Sequence, residues 1–405
     1  MGFRQYNSRP GVKVAKHIMN VTCERNAMEM IGRIDSPKAF FYFPMWDIRG
    51  HLNMLKFKDV GEMPFYLANM GYRVTFATGK GSINEEYIFK SIETGNIDRF
   101  SILENLKEIM HVVFLLKEIY YSKLILILTS PPSALALAFI VRFMNLLSPG
   151  YKKRKIILRM DTDGELFETP AKSFYYVFLL SVGSIIFHSI VVESTCAKEK
   201  LSKYCLKKSI SIVPEGYSKR IYRPHPHYSP NRRDVILFTG RIVPIKGIDV
   251  LIRAFQLIHT SYPKWRLRIA GPIEDKDYYK KLELLTHELN LNSSVDFLGE
   301  LSNDELSEEY LTASIFASLS RTESFSIARI EAIINGLPVV TTGAGCGRDL
   351  AGAIIVPYDD PVSSANAIKY LINDPKRRAD LVEEGQRTVL SWEEVTEEIL
   401  YGGKK

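Results

Sequence analysis

The chain has 405 residues, more than one hydrophobic core usually organises, so two domains are expected. Hydrophobic residues at 46% and charged residues at 24% describe an ordinary globular sequence with apolar material for two cores, which excludes disordered and fibrous classes. Charge is divided unevenly: residues 1–233 hold 34 Lys/Arg against 20 Asp/Glu, a net of +14, and the remainder carries −7, so the two halves are expected to meet different partners.

Residues 1–38 contain no continuous apolar core of the secretory kind, and they are read as an N-terminal extension of unassigned role in a cytoplasmic protein. From residue 39 to 216, apolar runs alternate with helical stretches. AFFYF (39–43) is followed by a helix over 60–71 closed by Gly71, then YRVTFAT (72–78), a helix near 101–120, KLILILT (123–129), a helix after Pro131-Pro132, KIILRM (155–160), a helix near 171–185 and HSIVVES (188–194). Apolar strands separated by helices predict a parallel sheet covered on both faces.

The uncharged stretch 173–192 is about as long as a membrane span, roughly 20 residues. Gly183-Ser184 and His188 interrupt it, and its β-branched end suits a strand, so a buried helix followed by a buried strand is predicted. Residues 217–234, with Pro224, Pro226, Pro230 and many charges, are read as a linker.

The same grammar restarts in a second domain over 235–390. It runs through VILFTG (235–240), a helix from about 247 to 260, WRLRIAG (265–271), a helix near 277–289, VDFLG (295–299), a helix opened by a Ser302–Glu305 capping box, IFASLS (315–320), a helix carrying Glu331, and LPVVTT (337–342). Residues 391–405 form a final helix and tail. The four cysteines, Cys23, Cys196, Cys205 and Cys346, have no CxxC pairing and no zinc spacing, so they are read as reduced thiols.

Two clusters sit where a strand ends and a helix begins, the place where α/β folds bind ligands. The first is Thr239-Gly240-Arg241 with Lys246-Gly247: two cations beside a helix N-terminus, with glycines that let a backbone come close, suit a diphosphate. The second is ESFSIARIE (323–331), whose carboxylates Glu323 and Glu331 stand before and within a helix and can accept sugar hydroxyls. A solvated Arg–Lys turn and a pair of surface acids remain the alternative reading of each cluster taken alone. A dinucleotide-dependent oxidoreductase would share this grammar but should show GxGxxG after an early strand, and a Walker loop is also missing.

FTGRIVPIKGIDVLIRAF (238–255) with ESFSIARIEAIINGLPVVTT (323–342) resembles family 4 of the glycosyltransferases, whose GT-B architecture sets two Rossmann-like domains across a cleft. SIVPEGYSKRIYRP (211–224) is similar to the family's interdomain stretch, and SWEEVTEEIL (391–400) to its C-terminal helix, which crosses back to the first domain. The resemblance implies a retaining, metal-independent transferase that takes a sugar from a UDP- or GDP-linked donor and needs no further cofactor. Arg241 and Lys246 would hold the diphosphate, Glu331 the ribose, and Glu323 the transferred sugar beside Gly240 and the backbone of Phe325, Ser326 and Ile327. Ser324 and Ser326 depart from the glycine-rich form of the motif.

The first domain departs further, with PMWDIRGHLN in place of an early double glycine. Thr129, Ser130, Asp161 and Asp163 are the acceptor-side candidates; Asp161-Thr162-Asp163 can equally be a turn and helix cap. The acceptor is expected to be a glycan or a lipid-linked molecule. The basic first half, densest at Lys152-Lys153-Arg154-Lys155 behind the apolar stretch 139–147, suggests an anionic membrane surface at the cytoplasmic face, and nucleic acid is not an expected partner. A glycogen-type synthase, a phosphorolytic member of the fold and a non-catalytic partner subunit are the alternatives.

Overall fold

A computed structural model describes residues 37–47, 59–80, 90–93, 116–117, 119–128, 131–147, 154–160, 181–205, 210–219, 222 and 232–402. In the first half the apolar runs become one parallel sheet. Its elements are β1 (Lys38–Asp47), α1 (Asp59–Asn69), β2 (Arg73–Lys80), β3 (Lys90–Glu93), β4 (Leu124–Leu128), α2 (Pro131–Leu147), β5 (Lys155–Met160), β6 (Ser189–Val192), α3 (Thr195–Ser202) and β7 (Ile210–Ile212). The spatial order is β3-β2-β1-β4-β5-β6-β7, and all paired neighbours run parallel.

The second half repeats the plan. Its elements are β8 (Val235–Thr239), α4 (Ile248–His259), β9 (Arg266–Ala270), α5 (Lys276–Glu288), β10 (Val295–Gly299), α6 (Asn303–Thr312), β11 (Ile315–Ser318), α7 (Ile327–Ile334), β12 (Val339–Thr342), β13 (Ala353–Val356), α8 (Pro361–Asn373), α9 (Pro375–Gln386) and α10 (Trp392–Tyr401). Its strand order is β10-β9-β8-β11-β12-β13. The order reverses between β8 and β11, which opens a crevice above the carboxyl ends of those two strands.

Each sheet is covered on both faces, as continuous apolar strands require. β4 is buried at every position, and so is β8. On one side of the first sheet, β1 and β4 pack with Met63 and Leu67 of α1 and with Trp392, Val395 and Ile399 of α10, so the last helix of the chain completes the first domain's core. The approach is close. Tyr217 pairs with Ser391 as an isolated bridge, and a side chain at Gly216 would come within 2.7 Å of the Trp392 backbone nitrogen.

The capping box at α6 is present, with the Ser302 side chain accepting from the Glu305 backbone and the Glu305 carboxylate accepting from that of Ser302. β3, β7 and β13 are not legible in the sequence. They are three or four residues long, and KSIE at β3 lacks an apolar run. Within the membrane-length stretch, 181–186 is helical and Ile190, Val191 and Val192 are buried in β6, while Ile185 is exposed. Among the described residues no helix is long and apolar enough to cross a membrane.

The basic run at 152–155 needs a correction. Arg154 is buried, donating from Nε and NH2 to the Tyr120 carbonyl and from NH1 to Asn145 Oδ1, and Lys155 Nζ donates to the Leu400 carbonyl. These two cations serve the fold, and burial lowers the pKa of Lys155. Lys152 and Lys153 lie outside the described residues.

Candidate active site

Both sequence clusters meet at the β8–β11 crevice. After β8 the chain passes Gly240 and Arg241 into a 3-10 turn, Pro244–Lys246, then enters α4 through Gly247. Gly247 has φ +63°, and a Cβ there would lie 2.1 Å from the Leu319 carbonyl oxygen, so the turn packs on the exit of β11 in a way only glycine permits. That contact carries the Lys246 side chain to Glu323: Nζ donates to Oε1 at 2.7 Å, with the two side chains 14% and 8% exposed. Ser320 Oγ donates to the same oxygen at 2.8 Å. An ammonium has three protons, so among the described residues a second and a third remain for a ligand's oxygens.

Arg241 is placed differently. Its guanidinium is exposed and donates to Glu274 Oε2 at 2.9 Å, so it lies at the open side of the crevice and is not bonded to the Lys246–Glu323 pair.

Glu331, one turn into α7, is buried, and both its oxygens are occupied. Tyr222 donates its phenol to Oε1 at 3.0 Å and Tyr310 donates to Oε2 at 2.9 Å, with Thr239 Oγ1 2.6 Å from the Tyr310 hydroxyl. Burial pushes the Glu331 carboxyl above the ordinary glutamate value, and the two phenol hydrogen bonds only partly oppose it. Both tyrosines are pushed up in turn, first by burial and then by the neighbouring carboxylate.

Between the acids, Phe325 is buried with Tyr217, Tyr222, Ile330 and Cys346, so its side chain anchors the loop and only its backbone can face a ligand. Cys346 Sγ donates to the Phe325 carbonyl at 2.8 Å, and burial pushes its thiol up to about 12. Ser326, before the first residue of α7, Ile327, takes φ +87°, a left-handed conformation that leaves its hydroxyl without a capping bond. The free N–H groups of α7 open from this point, as helix termini do.

The structure therefore brings Lys246 and Glu323 together, puts Glu331 on the same helix-and-loop unit with phenol partners, and sets Arg241 at the rim. Thr129, Ser130, Asp161 and Asp163 lie outside the described residues. Sequence reasoning missed Tyr222, Tyr310 and Ser320. Tyr222 could have been suspected from its place in the interdomain stretch, whereas nothing near Tyr310 in the sequence points to Glu331.

Residues 224–388 match the protein family described as "Glycosyl transferases group 1". Among curated relatives, the chain is 31% identical over 190 residues to the D-inositol 3-phosphate glycosyltransferase of Acidothermus cellulolyticus, covering 43% of this chain and 42% of that protein. It is 26% identical over 216 residues to the phosphatidylinositol N-acetylglucosaminyltransferase gpi3 subunit of Schizosaccharomyces pombe, covering 52% of this chain and 47% of that protein. The chain thus spans less than half the length of these relatives. Among solved structures, Anabaena Alr3699/HepE in complex with UDP superposes with a TM-score of 0.69 at 15% identity, over 90% of this chain and 98% of that one. Sucrose-phosphate synthase from Thermosynechococcus elongatus superposes with a TM-score of 0.62 at 18% identity, over 90% and 97%. Residues 224–388 are thus similar to the glycosyl transferases group 1 family, and the two parallel-sheet domains have the GT-B fold.

Proposed function

We propose that the chain is a retaining glycosyltransferase that takes a sugar from a nucleotide-sugar donor in the β8–β11 crevice and passes it to an acceptor held by the first domain. The observation that carries this reading is the Lys246–Glu323 pair at the strand-order reversal, beside the opening N-terminus of α7. Lys246 meets diphosphate charge as the leaving group departs, Arg241 adds a second cation from the rim, and Glu323 accepts hydroxyls of the transferred sugar. Glu331 takes ribose hydroxyls through lone pairs its two phenols leave unused. These cations and helix N–H groups make a divalent ion unnecessary. A neighbour of the same fold described in complex with UDP supports a nucleotide donor, and GDP-linked donors fit the same diphosphate chemistry.

The test is a thermal-shift screen of the full chain with UDP-, GDP- and ADP-sugars, since a ligand that binds only the folded state raises the melting temperature. Donor hydrolysis with and without a chelator follows, and proton NMR of the anomeric centre in the first product. No shift with any donor would sink the reading. A shift without turnover would favour a non-catalytic partner, inversion would remove retention, and chelator sensitivity would remove metal independence.

For the acceptor, we propose a glycan or lipid-linked molecule met at an anionic cytoplasmic membrane face. Its support is α2, on which Phe139, Phe143, Leu146 and Leu147 are exposed at helical spacing, in a half of the chain carrying +14. Sedimentation with phosphatidylglycerol vesicles at low salt should pellet the protein, and phosphatidylcholine vesicles or high salt should not. Absence of pelleting in every condition would leave a soluble acceptor.

A further inference from the structure

Two residues before Glu323, Arg321 ties three separate segments together. Its backbone N–H donates to the Ile245 carbonyl at 2.8 Å and its NH1 to the Pro244 carbonyl at 2.6 Å, both in the turn that carries Lys246. NH1 and NH2 also clasp the Asp249 carboxylate in the first turn of α4, at 3.0 and 2.8 Å, and Nε donates to Asp359 Oδ1 after β13 at 2.7 Å. Tyr278 of α5 donates to Asp249 at 2.6 Å from the far side. Asp359 takes φ +52°, an uncommon conformation for a residue with a side chain, in the loop that brings its carboxylate to Arg321. Among the described residues, none of the Arg321 hydrogen bonds reaches the Lys246 ammonium or the Glu323 carboxylate.

One short segment thus supplies both the carboxylate that meets Lys246 and the guanidinium that holds the turn carrying Lys246, through the Pro244 carbonyl. We infer that Arg321 is a positioning residue for the donor site, bracing the Pro244–Lys246 turn against the exit of β11 so that the Lys246 ammonium is held ready for diphosphate. The inference rests on the donor role given to Lys246 above. A planar fork with five donors can meet one carbonyl and two carboxylates at once, and a lysine ammonium cannot reproduce that geometry. Burial would push the Asp249 carboxyl up, but the hydrogen bonds and charge of Arg321, with the Tyr278 phenol, hold it below its ordinary value. The brace is therefore ionised at neutral pH.

The experiment is a double-mutant cycle on the full chain, with UDP, GDP and ADP each titrated by calorimetry. Arg321→Gln and Lys246→Ala should each weaken binding of the preferred nucleotide about tenfold, roughly 1.4 kcal/mol. If Arg321 acts through Lys246, the double variant should bind within about twofold of Lys246→Ala, and Arg321→Lys should restore only part of the loss. A purely structural residue would instead lower the melting temperature and multiply its loss on top of that of Lys246→Ala. Parental affinity in Arg321→Gln, or multiplied losses in the double variant, would overturn the inference while leaving the donor site intact. Parental affinity in Lys246→Ala, or no binding of any of the three nucleotides, would remove the donor-site reading and the brace with it. Should Arg321→Gln fail to fold, Asp359→Asn, which removes one arm only, carries the same cycle.

Discussion

Lys246 and Glu323, 77 residues apart in the chain, form an ion pair of 2.7 Å inside the crevice, and neither side chain is more than about one-seventh exposed. Such a pair costs desolvation, so its worth lies in what it holds ready. On the donor role proposed for it, Lys246→Ala removes the cation that meets the departing diphosphate and should lower turnover by at least two orders of magnitude, about 3 kcal/mol. It also leaves the Glu323 carboxylate with Ser320 as its hydrogen-bond donor, so the double variant with Glu323→Gln should melt higher than Lys246→Ala alone. Steady-state rates at saturating donor check the first part. Near-normal turnover would end the assignment.

On the ribose role proposed for it, Glu331→Gln should weaken nucleotide binding before it slows chemistry, because a neutral amide accepts hydroxyls less well. The variant also reports a pH effect. The folded-state pKa of Glu331 is raised above 4.5, so its contribution to stability is fully present below that pH and is lost as pH rises through the folded value. The melting temperature of the parent should therefore fall relative to Glu331→Gln as pH rises upward from about 4.5. A constant difference across that range would show the carboxyl to be unperturbed.

Ser326→Gly should be neutral to stabilising by up to about 1 kcal/mol, because left-handed strain of about 1–2 kcal/mol is relieved and partly offset by the extra freedom of glycine in the unfolded chain. No capping hydrogen bond is lost, since the Ser326 hydroxyl makes none to the helix. Differential scanning fluorimetry decides it: a clear drop in melting temperature would mean that the hydroxyl has a partner in solution.

Trp392→Ala should destabilise the first domain by about 3–5 kcal/mol, the usual cost of emptying a large buried aromatic site. Trp392 is fully buried in the core on β1 and β4, with Arg159 5.8 Å from its ring centre. Urea denaturation followed by circular dichroism should show an earlier first transition, and an unchanged curve would contradict the helix's part in that core.

Much of the architecture was legible in the sequence. Runs such as LILIL at β4 and VILFT at β8 name themselves as interior strands, because only a sheet covered on both faces tolerates them. The alternation of such runs with helices determined the two-sheet plan, and the position of Arg241, Lys246 and Glu323 just past strand ends marked the crevice. Those signals are local, carried by periodicity and by glycine and proline punctuation within about a dozen residues. Only the tertiary structure decided the partners. Glu331 lies between Tyr222 and Tyr310, which stand 109 and 21 residues away, Trp392 fills a core begun at residue 39, and Arg154 and Lys155 bond to Tyr120 and Leu400. Counting charges treats every lysine and arginine as solvated, whereas burial and hydrogen-bond satisfaction depend on which distant segments the fold brings into contact.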